Sequence, residues 1–253
     1  MAEECACALA DVNIRSGAGI SHSVLSVLLK SHCLKFKGHL SSIGTTHWAN
    51  VDYNGQNGWI SGDYLHFHNC SLGNPHITNP AGPSSPGCPT IISRSEWGAR
   101  APSSIIGILP KAPNHVYIHH GATAPCFSKT ECMAEVRTYQ NYHMDTHGWS
   151  DIGYSFIIGE DGNVYEGRGW HGIGAHTYGH NVDGLGFCII GNFMKVKPNE
   201  AALNATKQLI SCAVTNGYIT EDYILKGHRD VGQTACPGDK LYELIQKWPH
   251  YPH

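Results

Sequence analysis

Between Lys226 and Pro237 the chain reads Lys-Gly-His-Arg-Asp-Val-Gly-Gln-Thr-Ala-Cys-Pro, which sets His228 and Cys236 eight residues apart. An imidazole nitrogen with a thiolate sulfur is a ligand pair that a borderline-soft divalent ion such as zinc favours. A loop of that length can fold both onto one ion. Two ligands do not make a reactive centre, and the best donor of a third is the strand-like run His115-Val-Tyr-Ile-His119-His120-Gly121. Three protein ligands leave the fourth zinc position to water, the pattern of catalytic rather than structural sites. The residues therefore point to a zinc hydrolase with His119, His228 and Cys236 as ligands. The competing reading puts Cys236 in a disulfide, since the chain holds ten cysteines.

At 253 residues the chain exceeds the commonest single-domain size, and two domains are expected. No apolar run approaches the roughly 20 residues that span a bilayer, so the chain reads as soluble, with no membrane span. The first residues lack the basic-then-apolar pattern of a secretory signal. Ten cysteines, several at short and closable spacings, nevertheless argue for an oxidising compartment, and the expected location is extracellular. A formal net charge of −3 argues against nucleic acid as a partner. Protonating all eighteen histidines would carry that charge from −3 to +15, so tighter binding to anionic cell envelopes is expected in mild acid. The plainer reading treats most of them as ordinary surface or core histidines.

The ligands need a scaffold. Residues 115–119 are apolar enough for a central strand. Residues 128–145 carry Met133, Val136, Tyr139, Tyr142 and His143 near helical spacing, with Ser128 as a cap three residues before Glu131. Residues 154–159 and 164–167, joined through Asp161-Gly162, predict a hairpin. Residues 185–193 predict a buried strand, 199–216 a helix ended by Gly217, and 240–248 a last helix. Strands interleaved with helices imply an α/β domain, with a mixed central β-sheet flanked by helices, over residues 88–253. Distant side chains converge at the strand ends and adjoining loops of such a domain.

Two stretches precede that domain. Residues 71–87 hold Pro75, Pro80, Pro83 and Pro86 among Gly and Ser and read as a semi-extended linker. Residues 1–70 alternate short strand-like runs with turn signals such as Asn54-Gly55 and Asn57-Gly58, as a small all-β module would. Val12-Asn-Ile-Arg15-Ser-Gly-Ala-Gly19, Trp48, Val51, Tyr53, Gly58-Trp59-Ile60 and Tyr64-Leu65 resemble the bacterial-type SH3-like domain. That resemblance implies a small barrel that docks onto cell-wall peptides; barrel core is the plainer role for Trp48 and Trp59. Asn69-Cys70-Ser71 and Asn204-Ala-Thr206 are glycosylation sequons.

In the larger domain, Ser95-Glu-Trp-Gly98, Tyr117-Ile-His-His120, Asp151-Ile-Gly-Tyr-Ser-Phe156, Tyr165-Glu-Gly-Arg-Gly-Trp170, Gly174-Ala-His176 and Gly227-His-Arg-Asp230 together resemble the peptidoglycan recognition proteins. That family shares its fold with phage and bacterial N-acetylmuramoyl-L-alanine amidases and divides into zinc amidases and receptors without metal. The chain keeps all three ligand positions. The resemblance implies hydrolysis of the amide between N-acetylmuramic acid and L-alanine of the stem peptide. Tyr154 falls on the family's catalytic tyrosine, and Thr234 on a position that phage relatives fill with lysine. The groove positions carry over onto His120, His143, His147, Tyr154, His176 and Asn181, although some relatives have arginine where this chain has His147. Gly148 and Trp149 with Arg168 match the pattern associated with meso-diaminopimelate, whose extra carboxylate an arginine can pair bidentately. A structural role in a turn is the plainer reading of Arg168.

The family also implies disulfides Cys126–Cys132 and Cys88–Cys212. Cys188 falls inside a buried strand and reads as a free thiol. Cys5, Cys7, Cys33 and Cys70 remain for the first module, with three pairings open. The whole reads as a secreted, monomeric zinc amidase that binds bacterial peptidoglycan and muramyl peptides in innate, antibacterial immunity. Two alternatives stand beside it: a receptor that senses peptidoglycan without cutting it, and a chain in which the first module is the chief binder.

Overall fold

The computed structural model describes residues 4–28, 32–53, 55–69, 88–104 and 106–252. They belong to two units, Met1–Pro83 and Ser84–His253. The expected linker at 71–87, and Cys70 and Ser71 of the first sequon, lie outside the described residues.

The first unit is made of strands β1 (Glu4–Ala8), β2 (Val12–Arg15), β3 (Val24–Leu28), β4 (Cys33–Ile43), β5 (Thr46–Tyr53), β6 (Gln56–Ser61) and β7 (Leu65–Asn69). They pair antiparallel in the order β3-β2-β6-β5-β4-β1-β7. Ala6, Ala8, Val12, Ile14, Leu28, Ala49, Val51, Ile60 and Leu65 form its core, as the alternation of β-branched and polar residues requires. Trp48 is buried, whereas Trp59 is half-buried with the His39 ring at its edge, 5.5 Å away. A Cys7–Cys33 disulfide fastens β1 to β4, and Cys5 is also disulfide-bonded.

The second unit runs β8 (Ile91–Ile92), α1 (Arg94–Trp97), β9 (His115–His120), α2 (Lys129–Asn141), β10 (Phe156–Ile158), β11 (Val164–Glu166), β12 (Gly184–Ile189), α3 (Glu200–Thr215), β13 (Ile224–Gly227) and α4 (Asp239–Ile245). Its sheet has the order β13-β9-β12-β10-β11-β8, with the β10–β11 hairpin antiparallel and every other pair parallel. Strands buried on both faces read as continuous apolar runs, and β12 is buried at every residue. One face packs Val116, Ile118, Phe187 and Ile189 against Leu203, Leu209, Leu241 and Ile245 of α3 and α4. The other packs Ile157 and Cys188 with Trp97, Val136 and Tyr139 of α1 and α2.

Local signals set the element ends. Ser128 and Glu131 close a capping box on α2, each side chain accepting the other's main-chain N–H. Asn199 caps α3 through Ala202, and Gly217 follows that helix at φ +71. Three expected elements end early, the last helix among them at Ile245. The run from 128 leaves the α-helix at Asn141 and continues as a π-helical turn, Tyr142–Thr146, in which His147 N–H donates to Tyr142 O at 3.3 Å. The strand expected to reach 193 stops at Ile189, just before Gly191 takes a φ of +139 open only to glycine. Disulfides Cys88–Cys212 and Cys126–Cys132 are present, and Cys188 is a buried free thiol. Thr206 of the second sequon lies inside α3, its hydroxyl donating to Ala202 O at 2.8 Å. Among the described residues no helix is long and apolar enough to cross a membrane.

Candidate metal centre

Strand β9 is central, between β13 and β12, and period-two alternation divides its histidines between the two faces. His119 is opposite Cys188 of β12 and shares that residue's face. Where β13 ends, the chain tightens into a 3₁₀ turn, His228–Asp230, which brings the His228 ring 4.7 Å from that of His119. The loop then returns Cys236 to the same place. Cys236 is one of two free cysteines among the described residues, so the disulfide alternative does not hold.

The three side chains meet. Their ligand atoms lie within 4.8 Å of one another. Tetrahedral zinc, with bonds of about 2.05 Å to nitrogen and about 2.3 Å to sulfur, holds N and S roughly 3.6 Å apart. Nδ1 of His119 and Sγ of Cys236 are 3.7 Å apart, so the donor set fits such an ion. Nε2 of His119 points the other way, 3.3 Å from Nδ1 of His176 and 3.4 Å from Oγ1 of Thr177. Partners of this kind fix the tautomer and orientation of a ligating imidazole.

Burial dominates the electrostatics. It pushes His119 well below its ordinary 6.5, helped by the neighbouring His176, His228 and His120, and it lowers His228 as well. Both imidazoles are therefore neutral at pH 7, with a lone pair to offer. Burial raises the Cys236 thiol to about 12, against the pull of the His120 N–H and the Arg229 charge, so metal uptake must displace a proton.

The other residues singled out in the sequence fall into three groups. The first surrounds the centre. The half-buried Tyr154 packs its ring 5.3 Å from His119 and 5.4 Å from His143, and burial raises its phenol well above the ordinary value. His176 is wedged between Gly174 and Gly186, lowered by burial to about 3, and its Nε2 has no partner among the described residues. Asn181 serves the main chain, its Oδ1 accepting from His176 N–H at 2.8 Å and Thr177 N–H at 2.9 Å.

The second group forms an aromatic wall on the π-helical turn and the residues just after it. His147 stacks on Trp149 with ring centroids 4.9 Å apart, and His143 lies 4.8 Å from the same indole. Gly148 makes the corner between them at φ +67. His143 Nδ1 accepts the Gly153 N–H at 3.0 Å, and burial lowers its pKa to about 4.

The third group points elsewhere or is already engaged. The His120 ring faces the α4 side, with Nδ1 accepting the Phe193 N–H at 3.3 Å; its link to the centre is its own N–H, which donates to Cys236 Sγ at 3.4 Å. Thr234 is exposed, and its Oγ1 accepts the Cys236 N–H at 3.1 Å. Arg168 donates to Ile152 O and Ile173 O, both at 2.7 Å, and to Asp151 O at 3.4 Å. Burial lowers it to about 10. Sequence reasoning missed Thr177 and Arg229; the only signal for either was adjacency to a singled-out histidine.

Residues 109–239 match the family model of N-acetylmuramoyl-L-alanine amidase. The chain belongs to that family. Residues 10–66 match the bacterial SH3 domain. Family relatives include the human protein named N-acetylmuramoyl-L-alanine amidase, 48% identical over 168 residues, 65% of this chain and 29% of that protein. Human peptidoglycan recognition protein 3 is 48% identical over 166 residues, 66% of this chain and 48% of its own length. The chain thus spans less than half of either human protein. Peptidoglycan recognition protein 1 of Bos indicus is 44% identical over 165 residues, covering 86% of that protein. Among solved structures, wild-type Drosophila PGRP-LB is 43% identical at a TM-score of 0.63, covering 64% of this chain and 96% of that one. Peptidoglycan recognition protein-LE in complex with tracheal cytotoxin is 42% identical at 0.63, covering 64% and 95%.

Proposed function

We propose that this protein is a secreted, zinc-dependent N-acetylmuramoyl-L-alanine amidase. It binds bacterial peptidoglycan and cuts the amide between N-acetylmuramic acid and the first alanine of the stem peptide. The observation that carries this reading is the convergence of His119, His228 and Cys236, all within 4.8 Å. Bound there, zinc supplies Lewis acidity, which polarises an amide carbonyl and acidifies water.

The protein's own groups do the rest. His119 and His228 are neutral ligands at pH 7, and the imidazole of His119 is held in place by His176 and Thr177. Tyr154 keeps its proton far above neutrality and so remains a donor for the oxyanion that forms at the scissile carbon. Thr234 stands exposed within the ligand loop, and the stem peptide runs along His143, His176 and Asn181 toward His147, Gly148 and Trp149.

Arg168 is held in place by three main-chain carbonyls and reads the extra carboxylate of meso-diaminopimelate. The PGRP-LE structure holds a diaminopimelic acid-type ligand, which supports that preference. The first unit acts as a closed SH3-like barrel that docks onto the wall. The protein works as a monomer in antibacterial immunity.

The test is zinc content and muramyl-peptide release on one purified sample, with and without chelator, on diaminopimelate-type and lysine-type peptides. We expect about one zinc per chain, hydrolysis lost on chelation and restored by zinc, and faster cleavage of the diaminopimelate type. Cleavage indifferent to chelator would remove the zinc mechanism. Peptide binding without cleavage would make the chain a receptor.

A further inference from the structure

We infer that Arg229 is a positioning residue that holds the loop from His228 to Cys236 in its metal-ready shape before any ion arrives. This rests on the zinc reading above, because the loop matters only if its two ends are ligands. An eight-residue connection closed by nothing but its metal would have to be ordered at the moment of binding, and that ordering entropy would be subtracted from affinity.

The loop is instead closed by one residue acting twice. The Arg229 main-chain N–H donates to Cys236 O at 3.0 Å. Its guanidinium then turns back over the same segment. Nε donates to Cys236 O at 3.4 Å, Nη2 to Ala235 O, and Nη1 to Asp239 Oδ1 at 2.9 Å. The carbonyls at positions 235 and 236, on either side of the Cys236 Cα, are thus tied to the residue that follows the other ligand. The far face of the guanidinium lies over the Tyr242 ring, 4.8 Å from its centroid, which fixes the plane of the fork on α4.

Asp230 performs the matching task for the strand. Its Oδ2 accepts the Gly227 N–H at 2.7 Å, while Oδ1 accepts from the hydroxyls of Tyr242 and Tyr251. The Gly-His-Arg-Asp run therefore holds one ligand, a clamp on the loop ahead and a clamp on the strand behind. Among the described residues the Arg229 guanidinium donates to none of the ligand side chains, and it serves three different acceptors. A planar guanidinium meets such a set; an ammonium on a flexible stem satisfies one of them at a time.

The experiment measures zinc affinity by chelator competition on the full chain for wild type, Arg229→Gln, Arg229→Lys and Asp239→Asn, and records the thiolate charge-transfer band after cobalt replaces zinc. We expect Arg229→Gln to weaken zinc by about 10- to 100-fold, the range for groups that orient ligands, and Arg229→Lys to fail to rescue it. Asp239→Asn removes one exposed anchor and should cost less, and adding it to Arg229→Gln should cost nothing more. The cobalt band of the arginine variants should weaken or shift as Cys236 loses its fixed position. Wild-type affinity in both arginine variants overturns the inference. Full rescue by lysine overturns it too, since charge alone would then suffice. Should Arg229→Gln fold poorly, an unchanged affinity in Asp239→Asn also counts against the clamp. A wild-type chain that takes up no zinc would instead sink the zinc reading itself.

Discussion

In the proposed mechanism the sharpest division of labour is between Cys236, as a zinc ligand, and Tyr154, as a donor to the substrate. We expect Tyr154→Phe to keep its zinc and lose about 10²- to 10³-fold in rate, the usual cost of one oxyanion donor. Cys236→Ser should lose both zinc and activity. Metal analysis beside single-turnover hydrolysis separates the two, and a Cys236→Ser protein that cuts normally would refute the ligand assignment. That His119, His228 and Cys236 come together was legible because chemistry restricts the choice: few side chains bind zinc, and a histidine and a cysteine eight apart in one loop leave little room for chance. What was not legible is orientation. Neighbours on a strand face opposite ways, so His119 enters the centre while the His120 ring leaves it, and residue type by itself does not favour either. Thr177 was equally hidden, because its hydroxyl bonds to histidine rings brought there by the fold.

At the scale of elements, caps and turns were readable because their signals are local. Ser128 with Glu131, Gly217 and the Asp161-Gly162 turn each act within a few residues. The π-helical turn was not readable, since Tyr142 and His143 continue the helical spacing and only the hydrogen-bond pattern changes. That change presents His143 and His147 to Trp149. The glycine of β12 beneath the centre also shows its purpose only in three dimensions. A Cβ at Gly186 would lie 2.3 Å from Cγ of His176, and a buried central strand cannot retreat, so the imidazole must. Because that ring stands 3.3 Å from Nε2 of His119, Gly186→Ala should weaken zinc as well as cost about 1–3 kcal/mol from overpacking. Thermal unfolding and zinc titration of the variant check this. Unaltered values in both would mean that His176 moves freely and does not brace the ligand.

For the whole molecule, the eighteen histidines act in two directions. Exposed ones gain charge in acid and favour anionic surfaces; buried ones resist protonation and make the fold acid-sensitive. His143 is the clearest case of the second kind. It is buried, faces His147, Arg168 and Tyr154, and has its pKa lowered from 6.5 to about 4, first by burial and then by the charges of His147 and Arg168. Its folded pKa lies below its unfolded one, so the unfolded chain binds the proton first. The stability this represents is complete above pH 6.5 and is lost as pH falls toward 4. At pH 5 the loss from this one group is about 2 kcal/mol, and His176 and His120, lowered to about 3 and about 4, act in the same direction. Urea unfolding of the chelated protein at pH 7 and pH 5 should therefore show a lower midpoint in acid. His143→Gln, which can still accept the Gly153 N–H, should narrow the gap between the two pH values. A variant whose midpoint falls as far as wild type would show that the acid sensitivity arises elsewhere. The same pH interval is where wall binding should strengthen, so attachment to anionic envelopes and loss of folded protein would compete below pH 6, with the optimum for action set by whichever histidines titrate first.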